Sequence, residues 1–208
     1  MGVNKEVLLI DYGMGNLFSI KKVVERLGYV CLISKNPNSI RNARRIILPG
    51  VGHFGKAMTN LKEGGLVEPL QEAALIRGIP ILGIYLGMQL MTNNSEEGDA
   101  RGLGWFNADV VRFNTQDKKI YKVPHIGWNS VSMNKPSLLM AGIEKDAEFY
   151  FVHSYYCRCK DENDILNTTD YESVFTSAIE RQNIFGVQYH PEKSHGNGEK
   201  LIENFIKL

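Results

Sequence analysis

The sequence predicts an α/β fold with a mostly parallel central sheet and antiparallel additions in its C-terminal half. Three observations predict it. Through the first half, short apolar runs alternate with segments whose apolar residues fall at helical spacing. Glycine- and proline-rich turns stand at the joins. From Asp109 onward, extended stretches follow one another with little helix between them.

Val7 to Ile10 is a short continuous apolar run, as a strand buried on both faces requires. Asn16 is placed to cap a helix carrying Leu17, Ile20, Val24 and Leu27 on one face, with Gly28 as its stop. Val30 to Ile33 is a second strand, closed by the turn-forming Asn36-Pro37-Asn38-Ser39. Arg45 to Leu48 is a third, running into Pro49-Gly50-Val51-Gly52. A helical region ends near Gly78, and Pro80 to Ile84 is a fourth strand. In the second half, Asp109 to Phe113, Phe149 to Cys159, Val174 to Ile179 and Ile184 to Tyr189 are expected strands, and Lys200 to Lys207 a closing helix. No repeat or linker divides residues 1–208, so one domain is expected.

The chain has 208 residues, 43% of them hydrophobic and 23% charged, with a formal net charge of +1. That near-neutral balance supplies no field to recruit nucleic acid or an anionic membrane. Apolar runs reach only about five residues, well short of a span, and Asp11 interrupts the N-terminal run too soon for a signal peptide. A cytoplasmic protein is expected. Without a secretory signal, the sequons at Asn93 and Asn167 carry no meaning. Cys31, Cys157 and Cys159 lack framework spacing, and the last two are more simply packed strand thiols than metal ligands. Neither a metal nor a cofactor is expected.

Gly83-Ile84-Tyr85-Leu86-Gly87 follows a buried strand and opens onto the helical Met88-Gln89-Leu90. That is the layout of a nucleophile elbow, in which paired glycines let a strand turn sharply into a helix. The central side chain then stands at the helix N-terminus, where free N–H groups favour negative charge. The second piece is His190-Pro191-Glu192, after the run Ile184 to Tyr189. Proline biases His190 towards extended geometry, and residues two apart on an extended chain share a face. Glu192 is therefore expected to orient the His190 imidazole, as the carboxylate of a triad does.

Six segments together resemble one family. They are Asp11 to Asn16, Leu48 to Gly52, the elbow with Met88-Gln89-Leu90, Pro124 to Asn129, Phe151 to Tyr156, and Gly186 to Ser194. The resemblance is to the class I glutamine amidotransferase (HisH) subunits of imidazole glycerol phosphate synthase, and it spans the chain in order. It implies a flavodoxin-like core, release of ammonia from glutamine through a thioester on an elbow cysteine, and passage of that ammonia to a (β/α)8-barrel synthase (HisF-like) in a heterodimer. It further implies that His190 and Glu192 are the base and its orienter, and that Gly50 and Gly52 belong to the oxyanion turn. By the same resemblance Gln89, Glu97 and the His153-Ser154 backbone border the glutamine site, and Asn16, Trp128 and Lys193 face the partner.

The departure is Tyr85, at the nucleophile position. A phenol, with a pKa of about 10, is scarcely ionised near neutrality, and its oxygen lies a whole ring beyond the place of a thiol. Loss of glutaminase activity is expected. Two alternatives follow from that departure: a non-catalytic scaffold subunit, and an otherwise active enzyme carrying a recent change. A further resemblance touches Cys157-Arg158-Cys159, Lys193-Ser194-His195, Gly198 and Asn204-Phe205. These look similar to a HisH-like branch that serves nitrogen transfer to surface-glycan sugars. His53 and His195, beside the oxyanion turn and the triad motif, are expected to be surface histidines.

Overall fold

Val7 and Leu9 are buried on one side of the first strand, Leu8 and Ile10 on the other, so the strand must run through the middle of the molecule. The structure is a computed structural model and describes residues 6–208. In chain order the first half runs β1 (Glu6–Ile10), α1 (Leu17–Arg26), β2 (Val30–Ser34), α2 (Pro37–Asn42), β3 (Ile46–Leu48), α3 (Phe54–Glu63), α4 (Val67–Gln71), β4 (Ile81–Ile84) and α5 (Leu86–Leu90). The second half runs β5 (Asn94–Ser95), β6 (Ala100–Arg101), β7 (Ala108–Arg112), β8 (His125–Ser130), β9 (Ser132–Met133), β10 (Glu148–His153), β11 (Tyr155–Cys159), β12 (Ile165–Tyr171), β13 (Ser173–Arg181), β14 (Ile184–Val187) and α6 (His195–Lys207).

Among the described residues, the main sheet is ordered β2-β1-β3-β4-β14-β13-β11-β7-β5-β6, with β12 beside β13 and β9 beside β12. Its first five strands are parallel and the next three junctions antiparallel. A parallel core with antiparallel additions is the expected architecture. β8 and β10 stand apart as an antiparallel pair. Two apolar cores flank the main sheet. One joins Leu8, Ile46 and Leu48 to α2, α3, α4 and α5, and the other joins Val7, Leu9 and Ile47 to α1 and α6. Because successive strand residues alternate faces, β1, β3, β4 and β14 each feed both cores, whereas the edge strand β2 feeds only the second, through Cys31 and Ile33, and leaves Val30 and Leu32 exposed.

Four expectations need correction. Asn36 to Ser39 is the start of α2, where Asn36 accepts the Asn38 N–H and Pro37 occupies the first turn; a capping residue and a turn residue have the same chemistry. The run Phe149 to Cys159 is two strands, β10 and β11, in different sheets with Ser154 at the break. The last helix begins at His195, five residues before its apolar face announces it. After β14, His190 is extended but Pro191–Lys193 is a 3₁₀ turn, so Glu192 returns to His190 by a tight bend and not along a strand.

Candidate active site

β4 and β14 lie side by side and parallel, so the residues just past their C-terminal ends meet at one edge of the sheet. Tyr85 leaves β4 with φ 55° and ψ −110°, a conformation that costs an L-residue on the order of 1–3 kcal/mol. Its N–H bonds the Val187 carbonyl at 2.8 Å, and its own carbonyl accepts the Met88 and Gln89 N–H groups. The elbow is therefore pinned to β14 on one side and to α5 on the other. Glycine permits this crossing: a Cβ on Gly87 would run into the Leu48 carbonyl of β3.

The Pro49–Gly52 turn lies against the same elbow. A Cβ on Gly50 would come within 2.9 Å of Leu86 Cβ and 3.2 Å of the Gly87 nitrogen. Tyr12, buried, donates from its hydroxyl to the Pro49 carbonyl at 2.6 Å and fixes the turn from below. Gly52, with φ 110°, is exposed.

His190 and Glu192 are joined as expected: Nδ1 to Oε1 is 2.7 Å, and both side chains are 2% exposed. With Nδ1 engaged by the carboxylate, Nε2 faces the elbow with no hydrogen-bond partner. Tyr85 does not supply one. Its ring stacks on the imidazole, centroids 4.9 Å apart and planes 23° apart, presenting a π-face where a nucleophile would present a donor. Burial raises the Tyr85 pKa above its ordinary value, and the negative charge of Glu97 raises it further. Both effects oppose phenolate formation. The ring also packs against apolar residues of both cores, so it fills space between the elbow and the base.

Gln89 is buried and its amide donates to Gln188 Oε1 at 3.0 Å and to the Tyr155 carbonyl at 3.2 Å. Glu97 lies near enough to Tyr85 to act on its charge, and its Oε2 accepts the Phe54 N–H at the start of α3 at 2.7 Å. The Ser154 carbonyl accepts from Phe113, whereas the His153 ring turns into the core. There a single proton order satisfies a buried chain. His153 Nδ1 donates to the Tyr155 carbonyl at 2.8 Å, so its Nε2 accepts from His125 Nδ1 at 3.0 Å. His125 Nε2 then accepts from Asn129 at 3.4 Å. Burial holds both rings neutral, lowering His125 to about 4 and His153 to about 3.

Trp128 and Lys193 meet on the surface through Tyr150, a residue the sequence did not single out. Trp128, 45% exposed, has its ring 6.0 Å from that of Tyr150 and stacks on His195 at 5.1 Å. Lys193 Nζ sits 5.6 Å over the Tyr150 ring. Asn16 spends its side chain on the N–H of Ser19 at the head of α1. Ser194 was also missed as a site residue: buried, it donates to the His190 carbonyl at 2.6 Å and accepts the Tyr150 N–H at 3.0 Å. Its place two residues after Glu192 was the available signal. The thiols offer no substitute nucleophile, since burial raises Cys31 and Cys159 to about 11 and pushes Cys157 up as well.

A base and carboxylate after one strand, facing an elbow after its parallel neighbour with a glycine turn alongside, define a glutamine amidotransferase of class I, and that family matches residues 8–208. Subunit HisH 2 of imidazole glycerol phosphate synthase from Methanococcus maripaludis is 50% identical over 201 residues, which cover 97% of this chain and 98% of that protein. The HisH 2 subunit of Pseudomonas aeruginosa is 44% identical over 202 residues, covering 97% and 99%. The chain belongs to the HisH family. More distant solved structures share the fold. PurLQS from Thermotoga maritima superposes with a TM-score of 0.77 at 15% identity, covering 98% of each chain. The glutaminase domain of Trypanosoma brucei CTPS gives 0.67 at 18%, covering 97% of this chain and 94% of that one.

Proposed function

We propose that this chain is the HisH-type subunit of an imidazole glycerol phosphate synthase, acting in histidine biosynthesis as a single domain docked on a (β/α)8-barrel HisF-like partner. We infer further that it does not hydrolyse glutamine, and that its partner draws on free ammonia. Relatives of that name covering nearly the whole chain support the first part. The stacked Tyr85–His190 pair carries the second.

In a site with a thiol at the elbow, His190 would take the thiol proton on Nε2 while Glu192 held the ring, and the turn at Gly50 and Gly52 would face the oxyanion. Here the imidazole still has its orienter but has no acidic proton within reach. The Tyr85 oxygen lies at the far end of a ring, within reach of the charge of Glu97, which the resemblance places at the glutamine site. A bound glutamine and this ring would compete for one space. Trp128, Tyr150 and Lys193 form an aromatic and cationic patch of the type that anchors a partner surface.

The deciding assay measures glutamate release from glutamine by the chain with its barrel synthase. None is expected from the unmodified chain, while Tyr85→Cys should gain partner-stimulated release. Robust turnover without the substitution would end the proposal. The alternative, a paralogue serving surface-glycan sugars, rests on the resemblance at Cys157-Arg158-Cys159 and Lys193-Ser194-His195. Complementation of a histidine auxotroph by the Tyr85→Cys chain with its partner separates the two.

A further inference from the structure

A second concavity lies away from the elbow, between the end of β7 and the loop that leads into β8. Its volume is about 550 Å³, and Arg112, Phe113, Asn114, Thr115, Lys118, Lys122 and Val123 line it. Three of these seven side chains are cationic and none is acidic. Among the described residues, none of the three cations makes an ion pair.

The carboxylates of Glu96, Glu172 and Asp117 each accept backbone N–H groups of this segment, Glu96 that of Arg112 at 2.8 Å. Glu172 accepts the Gln116 N–H at 2.8 Å on one oxygen and the Asp117 N–H at 2.7 Å on the other. Asp117 Oδ1 accepts the N–H groups of Lys119 and Ile120. Tyr171 donates to the Lys122 carbonyl at 2.8 Å and meets the Tyr121 ring edge-on at 5.1 Å. The acids thus shape the loop and make no ion pair with the cations. On the inner side Phe113 packs among His153, Tyr156, Tyr171 and Phe175, which gives the concavity a rigid wall. Like charges lining one concavity on a braced loop repel one another, and an anion seated among them relieves that repulsion.

We propose that this concavity binds a small phosphomonoester, its phosphate among Arg112, Lys118 and Lys122 and its polar body along Asn114 and Thr115. An arginine and two lysines suit a dianionic phosphate, since the guanidinium offers a fork of donors and each ammonium a point charge. The volume falls within the range of small-molecule sites, so a compact metabolite fits and a flat macromolecular surface would leave the cavity unfilled. The site is separate from the elbow, and its existence does not depend on whether the chain hydrolyses glutamine.

The test is calorimetric titration of the full chain with ribose 5-phosphate, with inorganic phosphate and with ribose, at low and moderate salt. Ribose 5-phosphate should bind with a Kd of about 1 mM or tighter, more tightly than inorganic phosphate and more weakly as salt rises, and ribose should not bind. The exposed double variant Lys118→Gln/Lys122→Gln should weaken binding about tenfold or more without lowering the melting temperature. Lys119→Gln, a neighbour that does not line the cavity, should leave it unchanged. Absent binding, equal affinity for inorganic phosphate, or an equal loss with Lys119→Gln would each overturn the proposal. So would a double variant that lost only its hold on the barrel synthase, which would assign these cations to partner carboxylates.

Discussion

At Tyr85 the scaffold and the side chain disagree. The backbone still adopts the strained elbow angle, held by the Val187 carbonyl and by close-packed glycines, with a phenol in place of a thiol at its apex. The side chain lies flat on the base that should activate it. Replacing Tyr85 with Cys restores a short, acidic group at that position. Partner-stimulated glutaminase activity should rise on the order of a hundredfold or more above the unmodified chain. An inert Tyr85→Cys chain that still bound its partner would show that other parts of the site had also been lost. The phenol itself should ionise late. Burial and Glu97 both raise its pKa above the ordinary value, so in a spectrophotometric titration Tyr85 should remain neutral after exposed tyrosines have ionised near pH 10. Tyr85→Phe should remove part of the late-titrating signal. Loss of early signal instead would mean that the phenolate is accessible.

At the scale of elements, the β8–β10 pair and the β3–β4–α5 crossing make separate demands. The pair ends in His125 and His153, whose hydrogen-bond chain is satisfied only while both rings are neutral. Their folded pKa values, about 4 and about 3, lie below the ordinary histidine value of about 6.5. The unfolded chain therefore takes up protons first as the pH falls. Stability should be full well above about pH 6.5 and decline towards pH 4, by on the order of 3 kcal/mol for each ring. Urea midpoints measured from pH 7 to pH 4 check this, and a flat profile would remove the buried neutral pair from the account. At the crossing, Gly87→Ala drives a methyl into the Leu48 carbonyl. A loss of about 3 kcal/mol or more is expected in urea denaturation, since backbone on both sides prevents a local adjustment. A cost below about 1 kcal/mol would mean that β3 and α5 can separate.

Over the whole molecule, the elbow lies at the junction between the parallel strands and their antiparallel extension, and the Trp128 surface connects to it by backbone hydrogen bonds. His190 N–H donates to the Tyr150 carbonyl at 2.9 Å, and Ser194 closes the return path. Trp128 stands opposite Tyr150 across β8 and β10. A partner seated on that surface would press on the turn that carries His190. Trp128→Ala should weaken the complex with the barrel synthase by about 2 kcal/mol, the cost of losing a central aromatic anchor. Calorimetry of the two proteins measures it, and unchanged affinity would place the interface elsewhere. Among the described residues no helix is long and apolar enough to cross a membrane.

The sequence by itself determined the parallel core, the elbow, the His190–Glu192 pair and the family. Each is written in local patterns: apolar runs as long as a strand, glycines where a strand must turn into a helix, and a proline that sets the residue before it. It also determined that a phenol stands where a thiol is needed. The break at Ser154 was not legible, because one apolar stretch from Phe149 to Cys159 supplies two strands whose partners lie far away in the chain. The His125–His153 pair was hidden for the same reason, since 28 residues separate two rings that share a proton. The orientation of Tyr85 was decided by tertiary packing alone. A side chain's rotamer depends on the space its neighbours leave, and here two cores and an imidazole from the adjacent strand leave room for the ring to lie across the base.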